Sequence, residues 1–470
     1  MKKLFVFACV ISLVLSGASP LFAGGADNKT NWSAEYIRTL NRNAATDSAD
    51  IVMYNPAGVM KMEDGLYGNV SIHNVLKDYN NEVNGTDFDQ EEPSIVPGVF
   101  AVYKRDRWSG FFGVSNVVGG GKVKYDEGNL TTHQIAWKIG AGLNAGLSAP
   151  PPAGFGGPTF NYTSITDQKL DGEQTGAGVT LGGAFKINDM FSIALAARYV
   201  DTKIEMKGTA TLNASVPTAA AGAPYTGLND PVVANADFEE EADGWGGLIG
   251  LNITPTEQLN IGIRYETQVD LDFDQTVNQD VITGNIINAK YGGPLYNQIL
   301  PAFGRTDGGE RTRNLPAILG LGVSYQATPK WRLETNLTYY LNEEADFDDI
   351  PGTARDESAV DNGYDLGIAV EYAISDTVKG SFGYLYTVTG VDAKDMTPWL
   401  PELDAHTLGT GVVWAVTPNL DVNVGLGRVY YQSESFVYTY TDYSGATIEN
   451  QVKYEKDITF LAFGLQYKFM

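Results

Sequence analysis

Cysteine is all but missing from this chain: the one thiol in 470 residues is Cys9. It lies inside an apolar run near the start, so no internal disulfide can form and the fold must hold without one. Histidine is nearly as scarce. His73, His133 and His406 stand far apart, without metal-ligand spacing and without an evident nucleophile partner, and read as surface or strand-end residues. Past the first two dozen residues no segment has the ~18–20 unbroken apolar residues of a membrane-spanning helix. Cations are short too, 32 against 57 acidic residues. That balance argues against a nucleic-acid partner, because a phosphate backbone calls for clustered Lys and Arg. Gly119-Gly120-Gly121 is followed neither by a helix nor by Lys-Ser/Thr, so it is not a phosphate loop. The sequence therefore names no cofactor, no metal site and no catalytic set, and the chain is not expected to be an enzyme.

What is present begins with a leader. Lys2 and Lys3 precede an apolar core from Leu4 to Leu15, and Leu21-Phe22-Ala23 offers a cleavage site before Gly24, with Ala18 as the alternative. Residues 1–23 thus read as a secretory signal peptide. A lipoprotein would carry its cysteine at the end of the apolar core, so Cys9 reads as apolar filler. Losing Lys2 and Lys3 with the leader takes the formal charge from −25 two units further, to −27.

The repeating unit of the rest is clearest from Arg313 to Asn342. Leu315, Ala317, Leu319, Leu321, Val323 and Tyr325 alternate with Pro316, Ile318, Gly320, Gly322, Ser324 and Gln326. After Thr328-Pro329-Lys330 the alternation restarts with Trp331, Leu333, Thr335, Leu337, Tyr339 and Leu341. Successive strand side chains point to opposite faces, so each run has one mainly apolar and one small or polar face. Two such runs around a tight turn make a hairpin long enough to cross a bilayer at a slant.

Fourteen such runs can be marked. They are 65–79, 94–105, 109–118, 173–187, 191–207, 237–254 and 259–273, then 312–326, 331–342, 362–374, 378–390, 404–416, 420–431 and 457–469. Tight turns alternate with long polar connections, the longest being Gly119–Gly172. An even strand number with short turns on one side and long loops on the other is the layout of an all-β, transmembrane antiparallel β-barrel of 14 strands over residues 65–470. A mean hydropathy of −0.16 does not oppose this, because the barrel signal is alternation.

Strand faces sort the charges. In Leu259–Phe273 the odd positions, ending in Val269, Leu271 and Phe273, should face lipid, and the even ones the interior. A charge facing hydrocarbon is costly, so Arg198, Arg264, Glu266, Arg332, Glu334 and Glu371 should point inward, as a lumen ion-pair network or as contacts to a ligand head group. Trp108, Tyr199, Trp331, Tyr339, Tyr340, Tyr384, Tyr386, Trp414, Tyr430 and Tyr431 suit an interfacial aromatic girdle. The chain closes Leu461, Phe463, Leu465, Tyr467, Phe469 on one face, the signal that barrel-assembly machinery is expected to read, with Met470 following the last aromatic. The glycines at 119–121 suggest a kink ending the third strand. The stretch with Gly140, Gly142 and Gly146 before Pro150-Pro151-Pro152 reads as loop. The acidic runs Asp87/Asp89/Glu91/Glu92, Glu239/Glu240/Glu241 and Glu343/Glu344 read as solvated loops or as cation binders at a lipopolysaccharide surface.

Residues 24–64 lack a period of two. Trp32, Tyr36, Ile37 and Leu40 lie at helical spacing, so a short helix is expected over Trp32–Leu40, and Asn55-Pro56-Ala57-Gly58 is turn chemistry. From the residues alone this segment is either a surface arm or a plug in the lumen.

Four stretches resemble a known family: Ala45–Asp50 leading to Asn55-Pro56-Ala57-Gly58, Ile261–Thr267, Leu315-Pro316-Ala317 with its turn at Pro329 into Trp331, and the closing Phe463–Phe469. In order and spacing they resemble the FadL/TodX family of outer-membrane transporters for long-chain fatty acids and other hydrophobic compounds. The resemblance implies a barrel in the bacterial cell outer membrane whose lumen is plugged by an N-terminal hatch over residues 24–64, with Asn55, Pro56, Ala57 and Gly58 at the hatch junction. It also implies capture of hydrophobic ligand by extracellular loops, a pocket beside the hatch, and lateral exit at a kink in the third strand, for which Val118, Gly119, Gly120 and Gly121 are the matching positions. The ligand-binding residues sit in loops that carry no motif. Partners implied are outer-membrane lipid, lipopolysaccharide and a hydrophobic small molecule, around a monomer; flux would be passive. The alternatives are a general diffusion porin, which would lack the plug, and an outer-membrane lipid hydrolase, which would need a Ser–His pair.

Overall fold

The computed structural model describes residues 33–148, 162–214, 231–349, 356, 358–442 and 445–469. Residues 1–23, expected to be the leader, lie outside them, as do Trp32 and Met470. Nineteen strand segments form a single antiparallel sheet. Three of them are short extracellular additions, and two staves are each split in two, which leaves fourteen staves.

In chain order the staves are β1 Gly65–Val83, β2 Ser94–Arg105, β3 Trp108–Tyr125, β4 Tyr162–Lys186, β5 Phe191–Ala214 and β6 Val232–Thr256. β7 is Leu259–Glu266 continued by Asp272–Thr283, and β8 is Glu310–Thr312 continued by Ala317–Gln326. Then come β9 Trp331–Leu341, β10 Gly363–Ala373, β11 Val378–Val388, β12 Ala405–Thr417, β13 Leu420–Tyr431 and β14 Thr447–Lys468. β1 pairs with β14 from Tyr67↔Lys468 to Val83↔Val452, so the sheet closes on itself and has no edge to protect. This is the 14-stranded antiparallel barrel that the alternation predicts. No helix among the described residues is long and apolar enough to cross a membrane; the wall crosses with strands.

The outward face is apolar at mid-height. Leu181, Leu195, Ile249, Ile368, Phe382, Leu426, Phe463 and Leu465 are each at least half exposed, an arrangement stable against hydrocarbon and unfavourable against water. Trp108, Trp331, Trp414 and Tyr430 stay outside, as expected of a girdle. Tyr340 does not: it is fully buried and donates to Asp365 at 2.8 Å. Tyr431 likewise packs against the interior cluster.

Several expectations need correction. β3 does not end at the glycines but resumes and runs to Tyr125. β4, β5, β6 and β14 all reach further out than the apolar alternation, because polar residues serve as well once strands project past the membrane. The stretch with Gly140, Gly142 and Gly146 is a helix, α2, Leu130–Ser148. Ala136 and Leu143 bury one side of it against β4 and β5, and a Cβ at Gly140 would stand 2.3 Å from the Tyr162 carbonyl oxygen. Tertiary burial here overrides weak helix propensity. In β7, Val269, Leu271 and Phe273 are buried rather than lipid-facing. The stave breaks between Glu266 and Asp272, and the break resets which parity faces inward.

The plug occupies the lumen. Ser33 caps helix α1, Ala34–Thr39, by accepting from the Tyr36 backbone N–H at 3.1 Å, and Leu40 ends it with a φ of 56°. Two 3-10 turns follow, Ala49–Met53 and Pro56–Lys61. Every residue from Ser33 to Met60 is buried except Thr46 and Asp47. The small inward positions of the strands are where this chain runs. A Cβ at Gly262 would stand 1.8 Å from the Asn43 carbonyl oxygen, and one at Gly383 2.2 Å from that of Thr39.

Candidate functional site: a plugged lumen and a broken wall

Two clusters of charge fasten the plug. In the first, Arg42 reaches Asp47 at 2.9 Å and Asp50 at 2.5 Å, while Arg332 meets Glu334 at 3.0 Å, Glu371 at 3.4 Å and Asp47 at 3.8 Å. Arg38 of α1 closes the circuit by pairing with Glu371 and donating to the Ser381 hydroxyl. In the second, Glu266 pairs with Arg198 and, at 2.8 Å, with Arg264. Both arginines also donate to the Met53 carbonyl, at 3.3 and 3.2 Å, so wall side chains hold plug backbone directly. All six expected inward charges are thus brought together. Sequence reasoning missed their counterparts Arg38, Arg42, Asp47 and Asp50, which lie in a segment without a strand's parity to show where a side chain points.

The junction motif adds neutral bonds. Asn55 donates through its side-chain nitrogen to the Asn43 and Leu251 carbonyls, each at 3.1 Å, and accepts from the Ala57 N–H at 3.3 Å. Pro56 opens the following 3-10 turn, where its missing N–H costs nothing. A Cβ at Gly58 would stand 2.3 Å from the Ala45 carbonyl oxygen, so only glycine fits. Glu35 of α1 is buried with Asn69, Asn423 and Ser48 donating to one of its carboxyl oxygens, at 2.6, 3.1 and 3.2 Å. Burial first, and the Asp50 carboxylate second, push its pKa up to about 7.

The wall itself is broken beside the plug. The β2–β3 ladder starts at Arg105↔Trp108 and stops at Gly98↔Ser115, where Pro97 has no N–H to continue it. From Asn116 on, β3 pairs only with β4, and there the register slips twice, between Asn116 and Val118 and between Val118 and Gly121. Gly119 and Gly121 carry φ of 97° and 81°, a region open to glycine and strained for other residues. The four residues singled out from sequence, Val118 to Gly121, are therefore a double bulge inside β3, bordering a stretch of wall without a ladder. Two side chains take over its backbone groups. Asn116 donates to the Val118 carbonyl at 2.8 Å and accepts from the Gly176 N–H at 3.3 Å. Lys77 of β1 reaches across to the Gly120 and Lys122 carbonyls at 3.3 and 2.5 Å.

Among β5, β6, β7 and β8, Val200, Leu248, Val269, Leu315 and Ile318 line a small void of about 20 Å³ that Val117 of β3 also borders and whose lining includes Arg198 and Glu266. It is far below the size of a ligand pocket. Above the plug the interior is apolar and aromatic, with Tyr79, Tyr125, Trp399, Leu403, Tyr454 and Phe460 all buried. Two clefts open in the extracellular layer. One, of about 260 Å³, runs between α2 and the extended strands, past Trp137, Tyr162, Leu212 and Tyr440. The other, of about 80 Å³, is lined by Ile135, Met206, Phe238, Leu300, Phe303 and Trp399.

The histidines divide. His406 is exposed, its Nδ1 2.7 Å from the Tyr384 hydroxyl. Contrary to expectation, His73 is fully buried in the lumen, and His133 sits on α2 between Phe88 and Trp137. Among the described residues the histidine side-chain bonds run to the Asn129 carbonyl and the Tyr384 hydroxyl, not to a serine hydroxyl. Glu240 of the acidic run 239–241 is buried and pairs with Arg305 and Arg311, each at 3.0 Å, while Glu239 and Glu241 hold Lys203. Among the described residues no acidic or histidine group is arranged to hold a metal ion.

Comparison with known proteins agrees with this architecture. Residues 18–469 match the family described as outer membrane protein transport protein (OMPP1/FadL/TodX). A long-chain fatty acid transport protein of Escherichia coli O6:H1 is 24% identical over 300 residues, which cover 59% of this chain and 66% of the relative, just under two thirds of its length. A solved Pseudomonas aeruginosa FadL homologue superposes with a TM-score of 0.65 at 14% identity, covering 97% of this chain and 100% of the other. The P. putida toluene transporter TodX gives a TM-score of 0.57 at 12% identity, covering 91% and 96%. At such identities the superpositions speak for the fold, and the family match extends over nearly the whole chain. The chain belongs to the OMPP1/FadL/TodX family of outer-membrane transport proteins, a family of the bacterial outer membrane and not of enzymes.

Proposed function

We propose that the protein carries hydrophobic small molecules passively across the outer membrane, long-chain fatty acids foremost. Ligand enters the clefts around α2, moves through the aromatic interior to the plug, and leaves sideways into lipid between β2 and β3 at Val118–Gly121. The observation that carries this reading is the pairing of a sealed lumen with a broken wall: the axial path is blocked by buried chain, and the gap in the β2–β3 ladder lies beside it. An apolar solute gains nothing from a water-filled pore, whereas apolar walls and a lateral exit spare it transfer through water. No ATPase motif occurs in the sequence, so concentration and downstream consumption drive the flux. Ion-pair release at Arg198, Arg264 and Arg332 would let the plug shift.

Uptake of labelled oleate and of toluene, in cells with and without the protein, tests the reading. Protein-dependent uptake of either supports it, and the preferred compound identifies the cargo class. Equal uptake with and without the protein, together with open ion conductance in planar bilayers, would replace it with a diffusion porin.

A further inference from the structure

The wall is broken a second time, between β6 and β7. Their ladder runs from Thr256↔Leu259 to Leu248↔Glu266, stops, and resumes at Glu241↔Asp274. Opposite Ala242–Gly247, residues 267–271 leave the wall and fold inward, which buries Val269 and Leu271. Two glycines of β6 make room for them. A Cβ at Gly244 would stand 2.4 Å from the Asp270 carbonyl oxygen, and one at Gly246 2.9 Å from Val269 Cγ2. The β3 break is built the same way, with displaced valines set over bare glycines of the next strand. The two breaks also share a register row: Val118 pairs with Gly176, Gly176 with Thr202, and Thr202 with Ala242. One void touches both, since Gly246, Gly247, Thr267 and Val269 line it and Val117 of β3 borders it.

The tie across this second break is slight. The Thr267 N–H donates to the Gly247 carbonyl, and the Gly247 N–H to the Thr267 hydroxyl, each at 2.9 Å. On its other side the inward segment is bound to β8. Val269 and Leu315 exchange backbone bonds at 3.0 and 2.9 Å, so the two move together, and Pro316 beyond them has no N–H to add. Outside, the Tyr199 and Trp245 rings meet at 5.0 Å, and Trp245 is 68% exposed. Along the outward face of β6, apolar Ile249 lies on one side of Trp245 and Asp243 on the other. That order puts the gap where hydrocarbon meets head groups on the extracellular side. Its lips are acidic. Asp243, Asp270 and Asp272 are exposed, while Lys203 of β5 is already held by Glu205, Glu239 and Glu241 at 2.9, 2.6 and 3.0 Å.

We propose that the β6–β7 gap is a second lateral opening, one that passes uncharged apolar molecules between the lumen and the outer leaflet. The inference rests on the transporter reading above and adds a separate route to it. Release of the Thr267–Gly247 pair lets residues 267–271 and Leu315 swing off the glycines, which joins the void to lipid. An uncharged chain then passes from an apolar interior to hydrocarbon past Tyr199 and Trp245 at little cost. A carboxylate would meet three like charges at the lips, where the lowered dielectric strengthens the repulsion.

A cross-link tests this. A Cβ at Gly247 would stand 3.6 Å from Thr267 Cγ2, within reach of a disulfide, and the one thiol of the sequence, Cys9, lies in the expected leader. Uptake of labelled hexadecanol and palmitate, which share a chain length, is measured in cells producing the wild type or G247C/T267C, oxidised and then reduced. Barrel amount is measured in outer-membrane fractions. Oxidation of the pair is expected to lower hexadecanol uptake several-fold, to leave palmitate uptake near the wild type, and to be reversed by reduction. T267V removes the acceptor of the Gly247 N–H at nearly constant shape. It should raise hexadecanol uptake, and it serves where the cross-linked barrel does not assemble. Hexadecanol uptake equal in the oxidised and reduced pair, or unchanged in T267V, would overturn the proposal, as would an equal loss of both compounds on oxidation. Failure of the wild type to import either compound would remove the transporter reading itself, an outcome distinct from these.

Discussion

Val118 and Gly176 are register partners across β3 and β4, and a Cβ at Gly176 would stand 1.9 Å from Val118 Cγ1. The double bulge exists because β4 is bare beneath it. Gly178 plays the same part for Val117, at 2.5 Å. A flexible strand alone does not make this break. It needs Pro97 to stop one ladder, glycines in αL to kink the strand, and a glycine floor for the displaced valines.

The Gly176→Ala variant should therefore push Val118 out of place, at about 1–3 kcal/mol of overpacking cost. Thermal unfolding of the barrel, followed by its shifted migration on cold gels, reads the stability, and fatty-acid uptake reads the exit. Wild-type values in both would mean that Val118 re-seats freely and that the glycine floor does not matter.

Asn55→Ala removes two donated bonds and leaves the Asn43 and Leu251 carbonyls without that partner, a loss of about 1–3 kcal/mol for a buried group. The plug should loosen at its junction with the wall. Ion conductance in planar bilayers should rise from near zero to intermittent openings. Conductance as silent as the wild type's would show that the charge clusters hold the plug unaided.

Removing Arg332 leaves Glu334, Glu371 and Asp47 facing one another with one cation fewer. Arg332→Met should cost about 3–5 kcal/mol, the usual range for breaking a buried pair from one side. Adding Glu334→Gln to the same variant should restore part of the loss, because the carboxylate that pairs with Arg332 loses its charge too, whereas Glu371 keeps Arg38. Denaturant unfolding in detergent checks both, and a double variant no more stable than Arg332→Met would contradict the pairing.

Glu35 gives a pH signature. Its pKa in the plug is about 7 against an ordinary 4.5, so in between the folded plug binds a proton that the released segment does not. The unfolded form then holds fewer protons than the native one, and stability falls as pH rises across that window. Protection factors over Ala34–Thr39, taken from hydrogen exchange after the base-catalysed intrinsic rate is divided out, should be larger at pH 5 than at pH 8. In Glu35→Gln the difference should shrink. A plug equally protected at both pH values in the wild type would refute this.

Much of the barrel was legible beforehand because a membrane wall imposes a simple rule on sequence. One face must be apolar and each backbone group must find a partner in the next strand, so period-two runs between turns count the staves directly. The same rule placed Arg198, Arg264, Glu266, Arg332, Glu334 and Glu371 inward, since no charge can sit against hydrocarbon.

Where that rule lapses, the sequence by itself was silent or misleading. Past the membrane, polar strands and the Gly-containing helix α2 looked like loop, because packing against neighbours, not local pattern, stabilises them. The reversal at Val269, Leu271 and Phe273 follows from a break in β7 that no residue announces. Composition left the segment before β1 undecided between arm and plug; contact with strand glycines all round the barrel decided it. The bulge glycines were visible, yet their meaning depends on Pro97, Gly176 and Lys77, each brought there from another strand. Sequence determined the wall, because a wall is built from local alternation. Tertiary structure decided the plug, the break and the buried lysine, because each is a meeting of residues distant in the chain.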